Sequence, residues 1–147
     1  MKTYLLAHDL GTSGNKATLY TTEGELVKSI TYGYGLKVTN GNWAEQDPMD
    51  WWRAVCESTK ALTEEIDASK IAAVSFSGQM MGCVCVDKNG EPLRDAMIWA
   101  DMRSTEQEKK LRANIGEKEF YNITGHRISS SYSATKLMWV RDNQPEL

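Results

Sequence analysis

Residues Asp9-Leu10-Gly11-Thr12-Ser13-Gly14-Asn15-Lys16 bring one carboxylate, two glycines, two hydroxyls and one lysine into eight positions. Each has a use with phosphate. Glycines let the backbone bend sharply and approach a ligand closely, and successive exposed N–H groups in such a turn form an anion-binding concavity. Thr12 and Ser13 can donate hydroxyl hydrogen bonds, and Lys16 offers a compact positive charge. Asp9, at the end of an apolar run, can hold Mg²⁺ through one oxygen or a bridging water, because Mg²⁺ keeps several of its waters. The spacing is neither that of a Walker A loop nor GxGxxG. The plainer alternative is a β-hairpin turn, where Asp, Gly, Thr, Ser and Asn are the usual residues. On these eight residues alone, that alternative stands.

The elements around the turn narrow the choice. Tyr4-Leu5-Leu6-Ala7 and Ala17-Thr18-Leu19-Tyr20 read as strands on either side of it. Thr3–His8, Ala17–Tyr20 and Leu26–Tyr32 together predict an antiparallel meander, with Thr21-Thr22-Glu23-Gly24-Glu25 as a hairpin loop. Residues 36–46 read as a polar loop. Asp47-Pro48 predicts a helix start, an aspartate cap followed by proline at the first helical position. The stripe Trp52, Val55, Leu62, Ile66 carries that helix to about Asp67, with the paired tryptophans 51 and 52 expected in the core. Ile71–Ser77 reads as a buried strand, interrupted by Gly78-Gln79-Met80-Met81-Gly82 and resumed over Cys83–Val86. A glycine-flanked loop between strands is a place where a ligand can meet backbone. Asn89-Gly90 marks a hairpin turn, and Ala96–Trp99 a further short strand. Ser104 to Gln107 fits a capping box opening a charged helix to about Asn114. A shorter helix over Glu117–Ile123 stops at Gly125, and a last one runs from Ser133, its candidate cap, to Arg141.

The chain has 147 residues, enough for one domain with a core, and its net charge of −3 without a basic run argues against nucleic-acid partners. No apolar stretch is long enough to span a membrane, and the N-terminus lacks the order of a signal peptide. The three cysteines, Cys56, Cys83 and Cys85, have no CxxC spacing and read as buried, reduced thiols of a cytoplasmic protein. His8 and His126 stand apart without a metal-ligand pattern and are taken as structural. Pattern alone gives α/β or α+β.

Five segments in order resemble the FGGY family of carbohydrate kinases, members of the actin-like ATPase superfamily with a ribonuclease H-like fold. Asp9–Lys16 is similar to the family's first phosphate motif. Trp43-Ala44-Glu45-Gln46-Asp47-Pro48 with Trp51-Trp52 is similar to its loop and helix opening, Ser77–Gly82 to its sugar-contacting segment, and Trp99–Arg103 to its Trp-x-Asp-x-Arg stretch. Ser131–Asn143 fits a signature of the family. The nearest branch is xylulokinase-like.

The resemblance implies an α/β, ribonuclease H-like N-terminal domain, incomplete over residues 1–147, with the rest of that domain and an ATP-binding C-terminal domain outside the chain. It implies ATP-dependent phosphorylation of a sugar or polyol hydroxyl. Asp9 would steer the Mg²⁺ bound to ATP; Thr12, Ser13 and Gly14, through hydroxyls and backbone N–H groups, would meet the β- and γ-phosphates, with Lys16 beside them. Gln79, Met80 and Met81 would line the sugar pocket. Asp101 would either lie close to the sugar or serve as a helix cap or partner of Arg103. No catalytic base is assigned, since the family's general-base aspartate lies beyond residue 147. A cytoplasmic enzyme, with a homodimer as the assembly open to the full-length form, completes the expectation.

One departure concerns the substrate. Xylulokinase-like sequences have Met-His where this chain has Met80-Met81. A histidine can hydrogen-bond a sugar hydroxyl and a methionine offers apolar contact, so the substrate stays open among ketoses, polyols and deoxy sugars. The ending Gln144-Pro145-Glu146-Leu147, straight after a helix, reads as cut, and the isolated piece is expected to be inactive. Two other readings stay open: a non-catalytic half-domain that binds a partner or nucleotide, and a phosphate-binding fold with hydrolase chemistry.

Overall fold

The computed structural model describes residues 3–147, in which the chain divides into two compact units. The first comprises the N-terminal stretch to Leu36 and Asp47–Gln79; the second comprises Lys37–Gln46 and Met80–Leu147.

The first unit is built on a four-stranded sheet. Strands β1 (Tyr4–Leu10), β2 (Gly14–Thr21) and β3 (Leu26–Gly33) form the expected antiparallel meander, and β6 (Ile71–Gly78) adds parallel to β1, giving the order β3-β2-β1-β6. Helix α1 (Pro48–Thr63) packs over this sheet. Its start follows the local chemistry: the extended Asp47 accepts the Met49 N–H at 2.8 Å, and Pro48 takes the first turn. Leu6, Ala17, Leu19 and Leu62 are the core, with Tyr4, Ile30, Ile66 and Ile71 around them.

Two expectations are corrected in this unit. The buried stripe of α1 is Ala54, Val55, Ser58 and Leu62, and Trp52 is 58 % exposed. With 3.6 residues per turn, Trp51 rather than Trp52 lies above that stripe. β6 is not buried: α1 lies over β2 and β3, so Val74 and Phe76 on the edge strand are half exposed.

The second unit carries a three-stranded antiparallel sheet, β4 (Lys37–Thr39), β5 (Trp43–Gln46) and β7 (Ala96–Met97), in the order β4-β5-β7. β4 and β5 replace the polar loop expected over 36–46. Their turn places Asn40 and Gly41 at φ of 50° and 77°, the left-handed pair that an Asn-Gly hairpin provides. Cys83–Val86 does not resume a strand; it makes only single bridges, Cys83 with Met97 and Val86 with Pro92. The turn at Asn89-Gly90 forms as expected, the Asp87 carboxylate accepting the Asn89 and Glu91 N–H groups.

Three helices follow: α2 (Thr105–Asn114), α3 (Glu117–Thr124) and α4 (Ser133–Asn143). α3 ends on Gly125 at φ 71°, the left-handed stop the sequence promised. The two serine caps do not form. Ser104 Oγ donates to the Ser130 carbonyl at 2.9 Å and lies 3.0 Å from Thr135 Oγ1; Ser133 Oγ donates to the Gly82 carbonyl at 2.9 Å, and Tyr132 occupies the cap position of α4. Both hydroxyls serve tertiary bonds that local spacing does not reveal. Ala44, Ala96, Met97, Ile98, Phe120, Ile128 and Val140 are the buried apolar side chains of this unit. No helix among the described residues is long and apolar enough to cross a membrane.

Candidate functional site

In the first unit, the strand register gathers the phosphate candidates. Asp9 on β1 pairs with Lys16 on β2 and with Ser77 on β6, so three polar side chains form one row across three strands. Residues directly opposite in a sheet present their side chains on one face. The row lines an open groove of about 350 Å³ shared with Ala7, His8, Thr18, Ser75 and Phe76. Asp9 and Lys16 are both exposed to it.

The turn between β1 and β2 is short, Gly11-Thr12-Ser13, and Gly14 already belongs to β2. The Gly11 N–H donates to the Gly14 carbonyl at 3.0 Å. Neither glycine has positive φ, so conformational freedom is not what the turn takes from them. Gly14 is needed for another reason: a Cβ there would stand 2.5 Å from the Tyr32 carbonyl oxygen on β3. At Gly11 the nearest atom to a Cβ would be 3.5 Å away, ordinary contact.

Tyr34 completes this end of the sheet and was not singled out by the sequence, where Gly33-Tyr34-Gly35 reads only as a break. Its hydroxyl donates to the Gly11 carbonyl and its N–H to the Ser13 carbonyl, tying the turn to the end of β3. Burial, with the negative charge of Asp9, pushes the phenol up to about 12, so it stays a donor. The Gln79 N–H donates to the Leu10 carbonyl at 2.9 Å, which holds Gln79 beside the end of β1.

His8 is structural, as expected. It is buried, accepts from Asn15 Nδ2 at Nδ1 (3.0 Å), lies 3.3 Å from Thr59 Oγ1 and stacks on Phe76. Burial lowers its pKa against the raising effect of the Asn15 bond, so the imidazole is held neutral.

In the second unit, Met80 and Met81 line a cavity of about 470 Å³ with Phe120, Thr124, His126, Tyr132 and Ser133. Apolar walls with a few hydroxyls and one imidazole suit a polyhydroxy ligand, whose C–H faces and hydroxyls ask for both kinds of surface. Met81 sits at φ 62°, a left-handed conformation uncommon for a non-glycine residue. His126 meets Tyr132 edge-on at 5.6 Å between ring centroids. The sequence reads His126 as structural and meets Tyr132 only inside the Ser131–Asn143 signature; the fold around α3 and α4 brings both to this cavity.

Asp101 is elsewhere in this unit and fully buried. Its carboxylate accepts the Ala44 N–H at 2.7 Å, the Arg103 N–H at 3.1 Å and Arg103 Nη2 at 2.7 Å. The Arg103 guanidinium also meets Glu45 at 2.8 Å and lies over the Trp43 ring at 3.9 Å. Trp139 stands edge-on to Trp43, and Arg94 pairs with the same Glu45. The Trp43–Gln46 and Trp99–Arg103 stretches thus interlock through one buried ionic cluster. Asp101 is not among the residues lining the Met81 cavity.

The cysteines are free; Cys56 on α1 is exposed and Cys83 and Cys85 are only partly covered, not buried as expected, and the Cys83 and Cys85 sulfurs lie 4.0 Å apart. Burial, with Cys85 beside it, pushes the Cys83 thiol up to about 11, far from a reactive thiolate.

Residues 4–147 match the FGGY family of carbohydrate kinases, N-terminal domain. The chain is 34% identical over 139 residues to the xylulose kinase of Escherichia coli (strain K12), covering 95% of this chain and 28% of that protein. It is 31% identical over 147 residues to the gluconokinase of Bacillus subtilis (strain 168), covering 100% of this chain and 29% of that protein. Among solved structures it resembles gluconate kinase from Lactobacillus acidophilus (TM-score 0.91, 31% identity, 99% of this chain and 30% of that one). It also resembles ligand-bound xylulose kinase from the same organism (TM-score 0.90, 31% identity, 98% of this chain and 29% of that one). The α/β, ribonuclease H-like expectation matches the fold of these structures. The chain spans about 30% of the length of the relatives it matches.

Proposed function

The chain belongs to the FGGY family of carbohydrate kinases, and from that premise we propose that it is the N-terminal part of an ATP-dependent kinase acting on a hydroxyl of a neutral sugar or polyol. The observation that carries this reading is the row Asp9, Lys16 and Ser77 across three strands, above an open groove.

The groove fits Mg²⁺-ATP by its donor set. Among the described residues no three His, Cys, Asp or Glu side chains cluster. Mg²⁺ on a nucleotide needs less, one or two carboxylates with phosphate oxygens and waters as its other ligands. Asp9 supplies an exposed carboxylate at the strand end, and Lys16, its cross-strand partner, supplies the balancing charge. Mg²⁺-ATP, when bound, supplies the phosphoryl group. The tasks of this chain are positional: Asp9 orients the metal, Thr12, Ser13, Gly14 and Lys16 meet the phosphates, and Tyr34 fixes the turn they stand on.

The Met81 cavity supports the acceptor side. Met80, Met81 and Phe120 offer apolar surface to the C–H faces of a sugar, and Thr124, His126, Tyr132 and Ser133 offer hydroxyl and imidazole partners. Among the described residues that line it no arginine or lysine stands ready for a carboxylate, and the acceptor we propose is a neutral ketose or polyol. Gln79 borders the phosphate turn, and the role we give Asp101 is structural, as the buried partner of Arg103 and the Ala44 N–H. The general base and the adenine site are assigned to no residue of this chain, and the enzyme is placed in the cytoplasm.

The test is an ADP-release screen of the complete enzyme against ketoses, polyols and aldonic acids. Turnover with neutral polyhydroxy compounds is expected. Turnover with aldonates alone would overturn the substrate class, and no turnover with any sugar would overturn the kinase reading.

A further inference from the structure

Lys136 is one of the largest fully buried side chains in the molecule, and the reading above does not use it. It sits in the first turn and a half of α4 with its ammonium turned inward. Nζ donates to three backbone carbonyls: Met81 O at 2.9 Å, Ile98 O at 2.7 Å and Ser131 O. These acceptors come from three separate segments: the loop that carries Met80 and Met81, the stretch after β7, and the turn that leads into Tyr132 and α4. No ion pair of Lys136 is formed among the described residues. A charge taken out of water and given only carbonyl partners is costly unless the geometry is filled. Here it is filled by number: an ammonium has three N–H donors and meets three carbonyls, whereas a neutral amine has two.

One of the three carbonyls belongs to a wall of the Met81 cavity, and a second to the residue next to that wall. Met81 itself lines it, and Ser131 precedes the lining residues Tyr132 and Ser133. Met81 is also the residue held at φ 62°, a left-handed conformation uncommon for a side chain other than glycine. Such conformations persist when surrounding structure holds them. We propose that Lys136 is a positioning residue for the acceptor pocket, its ammonium tying the Met81 loop to the Tyr132 turn and so setting the width and orientation of the pocket. This rests on the reading of that cavity as the sugar site.

The clamp has a sign in pH. Burial, with Arg103 adding in the same direction, pulls the Lys136 ammonium down to about 8. Asp101 and Cys83 act the other way, and these three are the charged and titratable groups that bear on it. Above that pH the amine loses one donor and one of the three carbonyls loses its bond.

The experiment uses the complete enzyme. In Lys136→Met, the sugar KM is expected to rise roughly tenfold or more while the ATP KM holds within about twofold, because small displacements of a binding wall carry factors of this size. Alkylating Lys136→Cys with bromoethylamine rebuilds an ammonium of nearly the same reach and should recover most of the loss, with treated wild type as control. In the unaltered enzyme, the sugar KM should climb as pH passes about 8. Amide hydrogen exchange should quicken together at 80–83 and 130–134 in Lys136→Met.

A flat sugar KM across that range, equal rises in both KM values, or unchanged exchange in the two segments would overturn the clamp. If Lys136→Met does not fold, the wild-type pH profile decides alone. If the wild type turns over no sugar yet exchange quickens as stated, the clamp stands and the kinase reading fails.

Discussion

Replacing Asp101 with asparagine separates a sugar ligand from a structural charge. The carboxylate is fully buried and receives one N–H from Ala44 and a fork of donors from Arg103. An asparagine of the same shape carries one NH₂, and either orientation points it at a donor: the Ala44 N–H or the Arg103 guanidinium. Breaking a buried ion pair by removing one partner costs about 3–5 kcal/mol. Arg103 keeps Glu45 at 2.8 Å and its place over Trp43, which puts the effect at the low end, about 3 kcal/mol. For a chain of this size that is a fall in Tm of about 6–12 °C. Trp43 and Trp139 flank Arg103, so their fluorescence and near-ultraviolet dichroism report the change directly. Thermal and urea unfolding of Asp101→Asn beside the wild type, with the sugar KM of the complete enzyme, make the assay. A variant that melts within about 1 °C of wild type while its sugar KM rises would refute the structural assignment and return Asp101 to the pocket.

Gly14→Ala should cost about 1–3 kcal/mol by forcing β2 from β3, since its Cβ would stand 2.5 Å from Tyr32 O, whereas Gly11→Ala should be mild. Denaturation of the two variants in the opposite order would contradict the close approach. His8 has its folded pKa below the ordinary 6.5, so its share of stability is complete above about 6.5 and is lost as pH falls through the lowered value. Melting between about pH 7.5 and 5.5 should show this fall, and His8→Gln should flatten it; an equal slope in both would remove His8 as its source. Met81→His should shift preference towards ketopentoses, because histidine tolerates the left-handed backbone at φ 62° and adds a hydroxyl partner. A specificity profile that does not move would mean position 81 does not read the sugar.

Much of the fold could be read from local chemistry. The meander follows from alternating apolar runs, and α1 begins where Asp47-Pro48 says it must. α3 stops at Gly125 because glycine takes the left-handed turn there. The same chemistry was present in Asn40-Gly41, yet the three-residue exposed strand before it and the polar residues around it hid the β4–β5 hairpin. Other features have no local signature. Ser104 and Ser133 stand at spacings that suit helix caps, but their hydroxyls find carbonyls 26 and 51 residues away. Trp52 shares the expected stripe on paper, and a small rotation of α1 leaves it in solvent. At the site, Asp9 and Lys16 were legible as residue types, while their pairing with each other and Ser77 is a fact of register. Tyr34 and His126 act through segments that only the tertiary fold brings near; Tyr132 and Lys136 stand inside the Ser131–Asn143 signature, which marks the segment but not the contacts they make.

The role of Asp9 in the kinase is decided by comparing sugar-dependent ADP release by the complete enzyme and its Asp9→Asn variant, with sugar binding measured separately by calorimetry. ADP release on a neutral ketose or polyol is expected in the wild type, with its loss in Asp9→Asn and nearly unchanged sugar affinity. Unchanged kcat in Asp9→Asn would contradict the assignment of the Asp9–Lys16 row to the metal and phosphates.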